Sequence, residues 1–237
     1  MHPYDAFAVA YGKAGFHGFS RKIGRRLAHR WRKVLPPDAL IADLGAGDGG
    51  AVEAFRDQGF RVIGLDRSHG MLLRNPGLCV QGDMRQLPFR PVFDGVICLY
   101  DAINHLHPGD LPVFFAEVAR ILPAHARLAF DANTYEGTRM WTGQRFVVEQ
   151  RDVFLEVSSQ YDDSTRKLVN RVHGWVREGE RRIDVEDRIE EWYHPHNHLL
   201  RQARRAGFDI IEEEPLFMDE HEPEHPSKWL FELERRS

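Results

Sequence analysis

The stretch Ile41-Ala-Asp-Leu-Gly-Ala-Gly-Asp-Gly49 decides the fold. It begins inside a short apolar run over residues 39–44, passes into a turn that is rich in glycine, and leads into a predicted helix over residues 51–58. An apolar run of this length is typical of a buried parallel strand. Glycine has no Cβ atom, so a ligand can lie directly against the backbone of the turn. The stretch therefore predicts a strand, a ligand-binding turn and a helix.

Strands and helices alternate on the carboxyl side of this stretch. Such alternation predicts right-handed crossovers between parallel strands, and hence a parallel sheet with helices on both faces. On the amino side, residues 19–34 show helical spacing of apolar residues, with basic residues on the other faces. The predicted downstream strands are residues 61–65, 78–81, 93–100 and 127–131, and the predicted downstream helices are residues 68–74 and 111–122.

The pattern changes after Gly143, where charged segments with strand character replace the helices. Two short joints, residues 162–165 and 178–180, have the composition of turns. We therefore predict three antiparallel strands, inserted as a lid beside the main sheet. The three strands are residues 146–161, 167–176 and 181–192.

The chain then returns to a helix, residues 198–205, and two strands, residues 208–213 and 228–234. At 237 residues it is expected to form a single domain. The expected parts are an N-terminal helical cap (1–37), a ligand-binding core (38–145), the inserted strands (146–194) and the C-terminal part of the core (195–237).

Composition limits the partners. The formal net charge of −4 makes a nucleic-acid partner unlikely, and the basic helix is more simply a solvated face. The two cysteines, Cys79 and Cys98, lie in apolar runs, as buried thiols do. With no apolar stretch long enough to span a membrane, we expect a cytoplasmic protein. We also expect a monomer or homodimer. The histidine-rich run 193–198 is read as a loop and helix start, with His194 close to the substrate, and no metal site is expected.

The glycine turn alone leaves two classes of enzyme open. Gly45, Gly47 and Gly50 also satisfy the dinucleotide pattern G-x-G-x-x-G, so a nicotinamide or flavin enzyme is a rival. Asp66 ends the second strand, where a carboxylate accepts from ribose hydroxyls in either class. Asp83 ends the third strand and is positioned to accept from an adenine amino group. Asp83 is the more diagnostic of the two.

Four motifs resemble those of the class I S-adenosylmethionine-dependent methyltransferases and follow one another along the chain in the order of that family. The resemblance implies a Rossmann-like, mostly parallel sheet of seven strands, with the last two strands antiparallel neighbours. It also implies S-adenosylmethionine as cofactor and S-adenosylhomocysteine as product. The motifs are Ile41-Ala-Asp-Leu-Gly-Ala-Gly-Asp-Gly, Val62-Ile-Gly-Leu-Asp66, Gln81-Gly-Asp-Met and Phe93-Asp-Gly-Val-Ile-Cys-Leu-Tyr.

The same resemblance assigns residues to parts of the cofactor. Asp43 and the turn would contact the methionine part, Asp66 the ribose, Asp83 and Met84 the adenine. Helix N-capping is the simpler alternative for Asp66 and Asp83. The full predicted cofactor site is Tyr11, Asp43, Gly45, Ala46, Gly47, Asp66, Arg67, Met71, Gly82, Asp83, Met84, Leu99 and Tyr100.

The methyl acceptor is expected at the segment Asp101-Ala-Ile-Asn-His-Leu106, which follows the fourth strand. It resembles the corresponding segment of small-molecule N-methyltransferases, including those that act on deoxyamino sugars. His105 is the predicted base and Asp101 a second catalytic candidate, although a histidine bonded to backbone is an equal alternative for His105. The predicted function is methyl transfer to a small molecule, at nitrogen. O-methylation, a non-catalytic S-adenosylmethionine-binding protein and an NAD-dependent oxidoreductase remain alternatives.

Three further segments are candidates for contact with the bound molecules. Tyr4 and Tyr11 resemble the N-terminal segment that folds over the cofactor in this family, although Gly12 replaces a residue that is often aspartate. Asn133 and Thr134 follow the fifth strand, where polar side chains either face the acceptor or form a turn. The inserted strands carry alternating polar and aromatic residues, of which half are expected to face solvent.

Overall fold

The computed structural model describes residues 4–140, 142–217 and 225–237. Seven strands form the main sheet, in the order β10-β11-β5-β4-β1-β2-β3. The strands are β1 (Leu40–Leu44), β2 (Arg61–Asp66), β3 (Leu78–Gln81), β4 (Gly95–Cys98), β5 (Arg127–Asn133), β10 (Phe208–Leu216) and β11 (Lys228–Arg235).

Strand directions in this sheet confirm the predicted fold class. β1, β2, β3, β4 and β5 are mutually parallel, whereas β11 runs antiparallel to both β5 and β10. β1 lies between β2 and β4, so the order of strands reverses there. In open α/β sheets such a reversal leaves a crevice at the carboxyl ends of the strands, where ligands bind. The glycine turn at the end of β1 is therefore placed at the crevice.

Helices cover both faces of the main sheet, each over its own apolar core. Residues of α2 and α3 belong to one core, which contains Trp31 and Phe55, and residues of α5 and α7 belong to the other. The described helices are α1 (Ala8–Tyr11), α2 (His17–Trp31), α3 (Gly50–Arg56), α4 (His69–Leu72), α5 (Leu111–Ile121), α6 (Tyr135–Arg139) and α7 (His196–Arg205), with 3₁₀ helices at Ala102–His105 and Pro108–Asp110.

The inserted region forms a second sheet, here called the lid sheet, and it corrects the prediction of three strands. It has four: β6 (Arg145–Gln150), β7 (Val153–Asp162), β8 (Lys167–Glu178) and β9 (Arg181–Trp192), paired in chain order and antiparallel. The predicted strand 146–161 is two strands joined by a turn at residues 151–152. Two-residue hairpins usually carry glycine or asparagine. Arg151-Asp152 lacks both, so the turn is not visible in the sequence.

The basic helix α2 is held to the body of the protein by ion pairs. Arg21 lies 3.3 Å from Glu53 on α3, and Arg30 lies 3.2 Å from Glu212 and 3.1 Å from Glu214 on β10. α2 starts two residues before the predicted helix and ends at Trp31, and the chain continues in i→i+3 turns to Val34. Part of the predicted basic face is thus paired with acidic residues of α3 and β10. None of the described helices has the length and apolar character that a membrane span requires.

Candidate active site

A cavity of about 430 Å³ opens at the carboxyl ends of β1, β2 and β4, against β9 of the lid sheet. Its volume is within the range of about 300–1,000 Å³ that is usual for small-molecule sites. All predicted cofactor-binding residues line it except Asp83. The predicted residues on its wall are Tyr11, Asp43, Gly45, Ala46, Gly47, Asp66, Arg67, Met71, Gly82, Met84, Leu99, Tyr100 and His105.

The glycine turn is tightly enclosed. Gly45 has a φ of 77°, and a Cβ atom at this position would lie 2.5 Å from the Cβ atom of Ala102. A side chain there would therefore be strained and would clash with the neighbouring 3₁₀ helix. Gly47 has a φ of 53°, and its N–H donates to the Asp66 carboxylate over 2.9 Å. The left-handed backbone at both positions, together with the contact with Ala102 at Gly45, explains why the motif has glycine there.

Asp66 both holds the turn and lines the cavity. One carboxylate oxygen accepts from the backbone of Gly47, and the other accepts from the N–H of Ser68 over 2.8 Å. Ser68 in turn is the residue that caps α4, since its hydroxyl accepts from the N–H of Met71. Ser68, rather than Asp66, is therefore the N-cap of α4, and Asp66 bonds to backbone N–H groups of Gly47 and Ser68 while it lines the cavity.

Asp43 has an unsatisfied carboxylate at the cavity wall. It is 2% exposed, and its Oδ2 atom has no hydrogen-bond partner among the described residues. Burial, reinforced by the negative charge of Asp66, raises the pKa of Asp43 to about 8. A buried carboxylate without a donor is costly unless a ligand supplies one. The position therefore fits a ligand with a positively charged or N–H group, such as the amino group of S-adenosylmethionine.

Asp83 has a partner that the sequence analysis did not anticipate. Its carboxylate is held by Arg85, with Oδ1 3.0 Å from Nε and Oδ2 2.7 Å from a terminal nitrogen. These bonds lower the pKa of Asp83. The cavity wall at this point is formed by its two neighbours, Gly82 and Met84. An adenine amino group would reach the Asp83 carboxylate only by sharing it with Arg85.

His105 presents one ring nitrogen to backbone and the other toward the N-terminal cap. Nδ1 lies 3.0 Å from the carbonyl oxygen of Glu190, and Nε2 lies 3.2 Å from the hydroxyl of Tyr4. A carbonyl oxygen only accepts, so this contact assigns the proton of a neutral ring to Nδ1. Nε2 then carries the lone pair and the Tyr4 hydroxyl donates to it. The imidazole is therefore oriented as a base requires, at the wall of the cavity.

Asp101 lies behind the cavity wall, in contrast to its predicted catalytic place. Its carboxylate accepts from the side-chain amide of Asn133 over 2.9 Å and lies 3.1 Å from Nζ of Lys228. Tyr100 and Asp101 both have positive φ, 58° and 53°, which is rare for residues other than glycine. Their backbone N–H groups both donate to the carboxylate of Asp131. Asp101 thus belongs to a buried polar cluster that supports the 3₁₀ helix.

Three members of this cluster were missed by the sequence analysis: Asp131, Glu191 and Lys228. Burial raises the pKa of Asp131 to about 6 and that of Glu191 to about 7, with the charge of Asp101 adding to both. Lys228 is 2% exposed. Since lysine is almost never fully buried without a partner, a lysine within a predicted core strand was the available signal.

The structure places the residues of two other predictions, Asn133 with Thr134 and His194, outside the wall of the main cavity. Asn133 bonds within the buried cluster, whereas Thr134 caps α6, its hydroxyl accepting from the N–H of Gly137 over 2.8 Å. His194 is 1% exposed and lies 3.3 Å from the carbonyl oxygen of Ile103, and burial lowers its pKa to about 4. It lines a smaller cleft of about 280 Å³ rather than the main cavity.

Within the described ranges, no three potential ligands are grouped to hold a metal ion.

The start of the N-terminal cap, residues 4–16, borders the cavity through Tyr4 and Tyr11 and is fixed at both sides. The Oδ2 atom of Asp187, on β9, accepts from the N–H groups of Tyr4 and Phe7 over 2.8 and 3.3 Å. On the other side, a carboxylate oxygen of Asp5 accepts from the Ser68 hydroxyl over 2.7 Å. Residues 4–16 are therefore bonded both to the lid sheet and to the N-cap of α4.

A seven-stranded sheet in which β11 alone runs antiparallel, with a cavity at the glycine turn after β1, defines the class I methyltransferase fold. Comparison with known proteins agrees. Residues 42–130 match the family model described as "Methyltransferase domain". The chain is 25% identical over 235 residues to a putative methyltransferase, YqeM, of Bacillus subtilis (strain 168), covering 91% of this chain and 95% of that protein.

Two solved structures share the fold at low sequence identity. An S-adenosylmethionine-dependent methyltransferase from Clostridium acetobutylicum ATCC 824 has a TM-score of 0.74 at 18% identity, covering 99% of this chain and 96% of that one. The sugar N-methyltransferase KedS8 from Streptoalloteichus sp. ATCC 53650 has a TM-score of 0.72 at 21% identity, covering 100% and 94%. Residues 42–130 are thus a methyltransferase domain, and the chain has the fold of the class I S-adenosylmethionine-dependent methyltransferases, which favours S-adenosylmethionine over a nicotinamide cofactor.

Proposed function

We propose that the protein transfers the methyl group to a nitrogen atom of a small-molecule acceptor, with His105 as the base. The observation that carries the proposal is that one cavity is lined by two chemically different sets of groups. Asp43 and the glycine turn form one set, and His105 and Tyr4 form the other. A transferase needs a cofactor and an acceptor side by side, because alignment supplies much of the rate.

The cofactor end has groups suited to each part of S-adenosylmethionine. The unpaired Asp43 carboxylate would accept from the amino group of the methionine part, and Asp66 from the ribose hydroxyls. Gly82 and Met84 would contact the adenine, with Leu99 and Tyr100 below. When bound, the cofactor supplies a methyl group that its sulfonium makes electrophilic.

His105 would hold and remove the proton of the acceptor. An amine attacks only through a free lone pair, so an acceptor that arrives protonated must first lose a proton. In the structure the Tyr4 hydroxyl donates to Nε2 of His105. An acceptor N–H would take the place of this hydroxyl, and Nδ1 would keep its bond to the carbonyl oxygen of Glu190.

The small size of the acceptor is supported by the enclosure of the site. The N-terminal cap and β9 border the same cavity, with Ile189 and Trp192 forming part of the wall opposite the main sheet. A cavity of about 430 Å³ that receives both molecules leaves little room for a macromolecular acceptor. The likeness in fold to a sugar N-methyltransferase supports an amine on a small molecule.

The acceptor is to be found by incubating the protein with pooled metabolites and isotopically methyl-labelled S-adenosylmethionine. We expect a product heavier by one labelled methylene unit, whose fragmentation places the methyl group on nitrogen. A labelled oxygen or carbon would overturn the nitrogen assignment. The same incubation with a polymeric acceptor, such as RNA, is expected to give no labelled product.

His105→Gln tests the base. We expect kcat to fall by about 10²–10⁴-fold, the usual contribution of a positioned base. Binding of S-adenosylhomocysteine, measured by calorimetry, is expected to be unchanged. His107→Ala is the matched control, since His107 lies two residues further on and its ring accepts from the exposed loop N–H of Gly109. Equal kcat in His105→Gln and wild type would refute the role.

A further inference from the structure

The turn between β4 and the 3₁₀ helix is strained, and it carries the acceptor end of the cavity. Tyr100 and Asp101 are consecutive and both left-handed. Such residues are strained, and they persist only where their surroundings hold them. Tyr100 lines the cavity directly, and His105 follows within the same 3₁₀ helix. Whatever holds this turn therefore sets the position of both side chains.

One buried carboxylate holds the turn. Asp131, on β5, is 0% exposed and accepts from the N–H groups of both Tyr100 and Asp101. A carboxylate makes both bonds with full strength only when it is ionised. Burial and the nearby charge of Asp101 act against ionisation of Asp131. The turn thus depends on a positive charge close by.

Lys228 supplies that charge from the far end of the chain. Its Nζ atom lies 3.1 Å from the carboxylate of Asp101 and 3.6 Å from that of Asp131. It also donates to the Asn133 side-chain oxygen over 2.7 Å, while the Asn133 amide nitrogen donates to Asp101 over 2.9 Å. Lys228, Asn133 and Asp101 form a closed ring of hydrogen bonds. This ring fixes the orientation of the Asn133 amide.

The ring is also tied to the lid sheet and to the cavity wall. The second bond of the Asn133 amide nitrogen goes to Glu191 on β9, over 3.2 Å. The ammonium of Lys228 lies 5.5 Å from the ring centre of Tyr100 and 5.9 Å from that of Phe19. Cations within about 6 Å of an aromatic ring centre are attracted to its face. Lys228 therefore contacts the ring of Tyr100, which lines the cavity.

We infer that Lys228 is a positioning residue for methyl transfer: by its charge and its bonds to Asp101 and Asn133 it holds the Tyr100–Asp101 turn, and thereby His105, in the reactive arrangement. Lys228 itself does not line the cavity. This inference rests on the proposed function for its kinetic readout. The structural part of the test needs no acceptor, so the failure of one is distinguishable from the failure of the other.

The structural test is NMR of the histidine ring nitrogens in the unliganded protein. His105 is assigned with the His105→Gln variant. We expect Lys228→Met to shift or broaden the Nδ1–H signal of His105, because the turn relaxes and the bond to the Glu190 carbonyl weakens. Lys33→Met, the same substitution at an exposed lysine just after α2, should leave the signal unchanged. An unchanged His105 signal in Lys228→Met would overturn the inference.

The kinetic test uses the acceptor found in the metabolite screen. We expect Lys228→Met to lower kcat by about 10- to 100-fold, since misplacing a catalytic group by about 1 Å costs rates of this order. Affinity for S-adenosylhomocysteine should stay at the wild-type value, and Lys228→Arg, which keeps the charge, should recover most of kcat. Cofactor affinity that falls together with kcat would show a general structural role and refute the inference. If Lys228→Met does not fold, Lys228→Gln takes its place, and its kcat is expected to be lower than that of Lys228→Arg.

Discussion

At the scale of single residues, the electrostatics of the site depend on carboxylates in different surroundings. Asp43 is buried with one oxygen unpaired, and its pKa is raised to about 8. Asp83 is bound by Arg85, which lowers its pKa. A carboxylate that lacks a cation takes up a proton, whereas one that has a cation stays ionised. The two residues are thus expected to respond differently when the cofactor binds.

Binding of S-adenosylhomocysteine at pH 6.5 is expected to release a proton from Asp43. At this pH the free protein holds Asp43 protonated, whereas the α-amino group of the ligand is charged. The ammonium favours the ionised carboxylate, so affinity should rise as pH increases toward 7.5. Calorimetry in two buffers of different ionisation enthalpy measures the released proton.

Two variants define the origin of that proton. Asp43→Asn should bind more weakly and release none. Asp83→Asn is the matched control, because Asp83 is already ionised and its removal should leave the proton release intact. Proton release that persists in Asp43→Asn would contradict the assignment.

At the scale of elements, the N-terminal cap and the lid sheet act on the cavity together. α1 packs on the apolar face of the lid sheet, in a cluster that includes Phe7, Tyr11, Val172 and Ile189. Asp187 fixes the start of this segment to β9 through two backbone N–H groups. Because Tyr4 and Tyr11 of this segment form part of the cavity wall, loosening of the cap is expected to speed the release of a bound cofactor.

Asp187→Ala is expected to speed the dissociation of S-adenosylhomocysteine. Loss of a side chain that caps backbone N–H groups costs about 0.5–2 kcal/mol, which corresponds to roughly 2- to 30-fold in rate if all of it stabilises the closed cap. Stopped-flow displacement of the bound ligand measures the rate. Asp184→Ala is the control, since Asp184 lies on the same strand with its side chain 84% exposed and pairs with Arg182. Equal dissociation rates in the two variants would contradict a closing role for Asp187.

At the scale of the whole molecule, several buried groups hold protons that the unfolded chain would not hold. The pKa of Asp43 is raised to about 8 and that of Glu191 to about 7, against about 3.9 and 4.3 in an unfolded chain. Above pH 6.5 the folded state therefore binds more protons than the unfolded state, so its stability falls as pH rises. His194 is neutral in the folded state because its pKa is lowered to about 4. It therefore affects the pH dependence of stability only below about pH 6.5, where a histidine of the unfolded chain takes up a proton.

We accordingly expect the thermal midpoint of the unliganded protein to decrease as the pH is raised from 6.5 to 8.5. Asp43→Asn should show a flatter dependence, because a neutral amide has no proton to lose. Saturation with S-adenosylhomocysteine should also flatten it, since the ligand's amino group compensates the ionised Asp43. Calorimetric unfolding at several pH values makes the measurement. A midpoint that rises over this interval would contradict the assigned directions.

The sequence by itself determined the fold class, and it named residues that the structure brings together on the wall of one cavity. The glycine turn at 45–49 and the strand ends at Asp43 and Asp66 are local features: each residue is placed by the strand and turn in which it lies. Periodicity and turn chemistry therefore sufficed to bring them to one edge of a parallel sheet. The hairpin at Arg151-Asp152 was missed because neither residue has a backbone preference that marks a tight turn.

Only the tertiary structure decided how the acceptor end is built. Lys228, Asp131 and Glu191 come from β11, β5 and β9, and their contacts depend on strand pairing and on packing of the lid sheet. A charge is stabilised or destabilised by neighbours that are distant along the chain, so no local pattern reveals it. For the same reason the sequence placed Asp101 and Asp83 on the cavity wall, whereas Lys228 and Arg85 hold their carboxylates in the folded protein.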